Sequence, residues 1–146
     1  MTEIYFLDSS ALVKRYVSER GTAWVNALTT APVTELYIAQ VTGVEVVAAM
    51  ARRLPERQAH TAIAAFRADF ITGFAVIRMT DDVVERAMTM AMKHKLRGYD
   101  ALQLAAAMAL LELAAPRAVT LAASDAELLR AGKTEGFVVA DPNDYL

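Results

Sequence analysis

The sequence predicts an α/β fold, a three-layer α/β/α sandwich around a central parallel sheet. Short runs rich in β-branched and aromatic residues alternate along the chain with longer segments of helical periodicity. Several of those runs are continuously apolar, as strands buried on both faces are, rather than alternating like strands with one wet face. No internal repeat, low-complexity tract or linker interrupts the 146 residues, so residues 1–146 read as one domain.

The elements follow in order. Ile4 to Leu7 is a strand signal, and from Ser10 onward Leu12, Val13, Tyr16 and Val17 recur at helical spacing. A helix over Glu19 to Leu28 places Trp24, Val25 and Leu28 on one face and stops before Pro32. Glu35 to Ala39 is the next strand, leading into a helix from Gly43 to about Leu54. Glu56 to Ile71 is alanine-rich and helical, with Ile63, Phe66 and Phe70 spaced for one face. Phe74 to Ile77 reads as a strand, Thr80 opens a helix through His94, and Asp100 opens another to about Leu113. Val119 to Ala122 is a strand, Ser124 starts a short helix ending near Gly132, and Phe137 to Ala140 is the last strand.

Composition narrows the function. Hydrophobic residues make up 55% and charged residues 22%, which excludes a disordered chain. The absence of cysteine excludes disulfides, thiolate nucleophiles and cysteine-bound zinc, and fits a reducing, cytoplasmic compartment. The start MTEIYFLDSS has no basic n-region and meets Asp8 too early for a signal peptide. The alanine-rich run from Ala101 to Ala115 contains Gln103 and Glu112 and falls short of the roughly 20 residues a membrane span needs, so no membrane association is expected. A net charge of -2 argues against indiscriminate binding to nucleic-acid phosphates.

Four acids share a context: Asp8 in LDSSALVK, Glu45 in VTGVEVVAAM, Asp100 in RGYDALQLAAA and Asp125 in AASDAELL. Each falls at or within the first turn of a predicted helix, where a carboxylate caps amides and complements the dipole. Thr42 with Glu45, and Ser124 with Glu127, match a capping box. Taken singly, each acid reads as a cap. Taken jointly, they fall where an open parallel sheet gathers its ligand site, beyond the carboxyl ends of the strands. Four converging carboxylates require a counter-charge. Glu45, set among Val41, Val44, Val46, Val47, Ala48 and Ala49, requires it most, because an isolated buried carboxylate is costly. Oxygen ligands without cysteine or histidine suit Mg²⁺ or Mn²⁺, and such ions activate water and stabilise the leaving oxygen of a phosphodiester. His60 and His94 fall in helices away from the acids and read as surface or packing residues.

With these residues in place, the chain resembles a PIN-domain ribonuclease, specifically the VapC-like toxins of bacterial and archaeal toxin-antitoxin pairs. The likeness covers nearly the whole chain and rests on LDSSALVK, Glu45, YDALQLAAA, and ASDAELLRAG followed by GFVV. It implies a PIN-like sandwich, Mg²⁺-dependent endonucleolytic hydrolysis of RNA phosphodiesters, a cognate antitoxin that blocks the site, and a homodimer. It makes Asp8, Glu45, Asp100 and Asp125 the catalytic metal site, with Asp8 and Asp100 the direct ligands. Ser10 and Ser124 become the hydroxyls that orient carboxylates or water. Lys14, which the family pattern often carries, becomes a phosphate contact. Relatives often place a histidine three residues after the third acid, where this chain has Gln103. Asp141, in VADPND, competes with Asp125 but sits in a common turn composition.

Lys14, Arg15, Arg52, Arg53, Lys93, Lys95 and Arg97 are candidates to line an RNA groove on either side of the acids; most of them read as solvated helix ends, and Lys95 and Arg97 are the ones expected at phosphate. A dimer would bring two such sets together. A haloacid-dehalogenase-type phosphatase would need an aspartate where Ser10 stands. A receiver domain would need its phosphorylated aspartate after the third strand. A housekeeping PIN nuclease without antitoxin and a non-catalytic PIN-like binding module are the remaining alternatives, the latter disfavoured by retention of all four acids.

Overall fold

A computed structural model describes residues 2–145. β1 (Glu3–Leu7), β2 (Thr34–Ala39), β3 (Ala75–Ile77), β4 (Val119–Ala122) and β5 (Val138–Ala140) form one sheet in the order β3-β2-β1-β4-β5. Every pairing is parallel, as the continuously apolar runs predict. The helices are α1 (Ser9–Leu12), α2 (Thr22–Thr30), α3 (Gln40–Arg53), α4 (Glu56–Thr72), α5 (Asp81–His94), α6 (Gly98–Ala114) and α7 (Ala126–Thr134). A 3-10 turn at Pro142–Asp144 follows β5. No helix among the described residues is long and apolar enough to cross a membrane.

Alternation along the central strand separates two cores. Ile4 and Phe6 pack with Leu104 of α6, Met90 of α5 and Leu128 of α7 on one face. Tyr5 and Leu7 face Leu12, Val25, Met50 and Phe66, from α1 to α4, on the other. The molecule is therefore the three-layer sandwich expected. Chain order reverses at β1: the sheet grows outward through β2 and β3, then restarts on the other side with β4 and β5. Open α/β sheets bind ligands beyond the strand ends at such a switch point. Asp8 and Ser124 follow its two strands, and the Asp8 amide donates to the Ala122 carbonyl at 3.1 Å.

Several boundaries differ from the sequence reading. The helix expected from Ser10 is a single α-turn that tightens into a 3-10 turn over Val13–Arg15. α2 begins at Thr22 rather than Glu19, because Gly21 adopts φ +90° and approaches Pro142 so closely that a Cβ would lie 2.7 Å from its carbonyl oxygen. α3 starts at Gln40, immediately after β2, without the turn expected before Gly43. α7 runs past Gly132 to Thr134. Gly132 serves packing instead of termination, since a Cβ there would sit 2.5 Å from Leu121 Cδ2 on β4. The helix stops at Gly136, φ +105°, where Phe137 N–H bonds to Gly132 O at 3.0 Å and Gly136 N–H to Lys133 O at 3.3 Å, the paired closure of a Schellman motif.

Candidate active site

Asp8 ends β1 and caps α1. Its Oδ1 accepts from the Ser10 hydroxyl at 2.7 Å and from the Ala11 amide at 3.0 Å, so the capping geometry read from LDSS is present. The residue is only 2% exposed. Burial pushes its carboxyl up to about 7, against the pull of these hydrogen bonds, and the charges of Asp100 and Glu45 push the same way. Ser10 faces both ways: its Oγ also accepts the Ser124 amide at 2.9 Å, tying the end of β1 to the loop after β4.

Asp100 lies in the first turn of α6 and is 4% exposed. Burial raises its carboxyl to about 6, with Asp125, Glu45 and Glu127 adding repulsion and Arg97 opposing it. Its Oδ2 is buried without a hydrogen-bond partner, and Arg97 Nε stands 3.6 Å away. Asp125 caps α7, with Oδ1 accepting from the Leu128 amide at 2.9 Å. Its other oxygen takes Arg97 Nη2 at 3.1 Å. Arg97 thus bridges the third and fourth acids, and the chain supplies part of the counter-charge itself.

Glu45 departs from its expected setting. Because α3 begins at Gln40, Glu45 lies in the second turn and makes no cap, and Thr42 is buried inside the helix. The capping box expected of this pair is absent, as is that of Ser124 with Glu127, where Asp125 takes the cap. Glu45 is half-buried and its carboxyl is raised, chiefly by burial, with the Gln103 hydrogen bond pulling the other way. Gln103 Nε2 donates to Glu45 Oε1 at 2.7 Å and to Thr42 Oγ1 at 2.8 Å. Gln103, standing where relatives often place a histidine, sits inside the cluster. The signal available was its spacing, three residues after Asp100 on the same helix face.

Lys14, expected at phosphate, is buried, paired with Glu19 at 3.0 Å and donating to Asn143 Oδ1 at 2.9 Å, so two of the three hydrogens of its ammonium brace the turn after α1 against the turn after β5. Arg15, Arg53 and Lys93 pair with Asp69, Glu19 and Glu135. Arg52, Lys95 and Arg97 remain exposed. Asp141 caps the last 3-10 turn through Asn143 N–H at 2.8 Å, the turn role its composition suggested. His60 is exposed on α4, and His94 contacts Glu135 at 2.6 Å, away from the acids. An open cleft of about 810 Å³ runs past Glu45, lined also by Ser9, Ser10, Arg52 and the 46%-exposed Tyr99.

Among the described residues no three acidic or histidine side chains form a preassembled ligand cage. The donor set nonetheless fits a hard divalent cation. It consists of oxygens, and three of its carboxyls are raised by burial. The buried polar side-chain atoms without partners among the described residues are Asp100 Oδ2, Gln103 Oε1 and Ser124 Oγ, all belonging to this one cluster.

An all-parallel sandwich with acids gathered at its switch point is an open α/β domain of the class whose ligand sites fall at that sheet edge. Comparison makes the assignment specific. A family model of the PIN domain matches residues 5–134, and the chain belongs to that family. Among solved structures, the fold is similar to FitAcB from Neisseria gonorrhoeae, with TM-score 0.69, 16% identity, and 94% of this chain and 97% of that chain covered. It is similar to VapC20 of Mycobacterium tuberculosis, a Sarcin-Ricin loop cleaving toxin, with TM-score 0.69, 20% identity, and 92% and 96% covered. It is also similar to a toxin-antitoxin complex from Klebsiella pneumoniae, with TM-score 0.61, 21% identity, and 94% and 97% covered. The comparison with curated proteins finds no match.

Proposed function

We propose that this PIN domain is a metal-dependent endoribonuclease, the toxin of a toxin-antitoxin pair. The observation that carries the reading is the buried pair Asp8 and Asp100, each held with a raised carboxyl at the switch point, with the Asp100 charge among the causes that raise Asp8. Structural costs of this kind concentrate at functional sites. Asp8 and Asp100 would hold Mg²⁺ or Mn²⁺, with Glu45 and Asp125 completing the acidic site. The bound ion supplies an acidified water and neutralises charge on the phosphodiester.

The chain's own residues do the rest. Ser10 fixes the Asp8 carboxylate and, through the Ser124 amide, the loop carrying Asp125. Arg97, exposed between Asp100 and Asp125, is placed to exchange one carboxylate contact for a phosphate oxygen. Lys95, at the left-handed end of α5, and Arg52, across the cleft, extend that basic edge. Tyr99, with the Arg97 guanidinium 5.3 Å from its ring centroid and its side chain part-exposed on the cleft, offers an aromatic surface on which a base can stack.

The toxin reading draws on the VapC-type and toxin-antitoxin neighbours, and with it comes a cognate antitoxin as partner. A homodimer and a cytoplasmic location complete the proposal; exposed Met92 and Leu113, on α5 and α6, offer apolar area to a second copy. The test is RNA cleavage by the purified chain, freed of antitoxin, in Mg²⁺ or Mn²⁺. Wild type is expected to cut, and Asp8→Asn and Asp100→Asn to be inactive while remaining folded. Equal cleavage by wild type and both variants would sink the assignment.

A further inference from the structure

We infer that Gln103 is a positioning residue for Glu45, setting through it how tightly the site takes a divalent cation. The inference rests on the metal-site reading above. Gln103 is 1% exposed and spends both hydrogens of its amide nitrogen inside the site, one on Glu45 Oε1 at 2.7 Å and one on Thr42 Oγ1 at 2.8 Å. Chemistry fixes the orientation: turned over, the amide would set its carbonyl oxygen against a carboxylate, with no hydrogen between them. The price is a buried Oε1 with no partner, which a residue chosen for packing alone would not carry.

Position adds a second argument. Asp100 and Gln103 lie one turn apart on α6, so a single helix presents a ligand carboxylate and the donor that aims the Glu45 carboxylate of α3. Glu45 opens onto the cleft and makes no cap, so the Gln103 bond, the larger of its two side-chain hydrogen bonds beside that from Ser9, ties its flexible side chain to α6. Groups that hydrogen-bond metal ligands in this way govern affinity as well as geometry.

The test is Mn²⁺ titration of the full chain without antitoxin, following free Mn²⁺ by electron paramagnetic resonance, with thermal unfolding recorded in parallel. Gln103→Leu is expected to weaken Mn²⁺ binding ~10–100-fold without a matching fall in Tm. Gln103→Met, unbranched and similar in size, should repeat the loss and serves if the leucine variant fails to fold. In a Glu45→Gln background the same changes should cost nothing further, because Gln103 acts through Glu45. Wild-type Mn²⁺ affinity in both Gln103 variants, or an equal loss with and without Glu45, overturns the inference. Asp100→Asn separates the two readings: if it leaves Mn²⁺ affinity untouched, the metal site itself is wrong and the role of Gln103 falls with it.

Discussion

Asp8 shows how one residue carries two readings at once. It is a helix cap by geometry and a strained acid by environment, because the hydrogen bonds of the cap do not offset its burial. The consequence for stability has a definite sign. With the folded carboxyl raised to about 7, the folded state binds more protons than the unfolded one between about pH 4 and 7. The Asp8 contribution to stability of the metal-free protein is therefore present at low pH and lost as pH rises through that window. Thermal unfolding in a chelator should show Tm falling from pH 5 to pH 8, with Mg²⁺ recovering part of the loss at the upper end. Asp8→Asn keeps an oxygen for Ser10 and Ala11, removes the charge, and should flatten the slope without unfolding the protein. A rising Tm across the same range would contradict the burial argument.

Arg97 is the second residue whose role the sequence showed only in part. Its place before Asp100 marked it for phosphate; that it would also bridge Asp100 and Asp125 depended on the loop after β4 coming alongside α6, which no local pattern encodes. Arg97→Ala is expected to weaken RNA binding about evenly across sequences and reduce the salt slope by about 1. Filter binding by the inactive Asp8→Asn protein, with and without the second change, measures it. An unchanged slope would confine Arg97 to the internal bridge.

At the level of elements, strands and helices were legible because each kind has its own apolar period, and the boundaries that slipped did so for tertiary reasons. Gly132 looked like a helix stop, the commonest use of glycine near a C-terminus. Its real constraint is Leu121, on the strand against which the helix packs back. The same substitution should therefore act with opposite sign at two glycines. Gly132→Ala drives a Cβ into the fully buried Leu121 and should destabilise by ~1–3 kcal/mol. Gly98→Ala, at the first residue of α6 with nothing within 4 Å, should stabilise by ~0.4–1 kcal/mol. Chemical denaturation of the two variants is the check; equal effects would mean that the close approach of α7 to β4 is not a constraint. The helix from Ser10 slipped for a similar reason, with Lys14 drawn inward to Glu19 and Asn143.

For the molecule as a whole, the parallel sheet does the work of assembly. Acids that are distant in sequence meet because β1 and β4 adjoin at the switch point and α6 brings its amino end to the same edge. Periodicity and acid placement made this edge readable; the side-chain partners of the acids were not, because Gln103, Thr42 and Arg97 reach them only through packing between elements. Asp8 and Asp100, with Glu45 and Asp125, are proposed to hold divalent metal between them. Anomalous scattering from crystals equilibrated with Mn²⁺ tests it most directly. The expected result is a peak between the Asp8 and Asp100 carboxylates that disappears in Asp100→Asn. A protein that cleaves RNA while showing no peak there at saturating Mn²⁺ would contradict it.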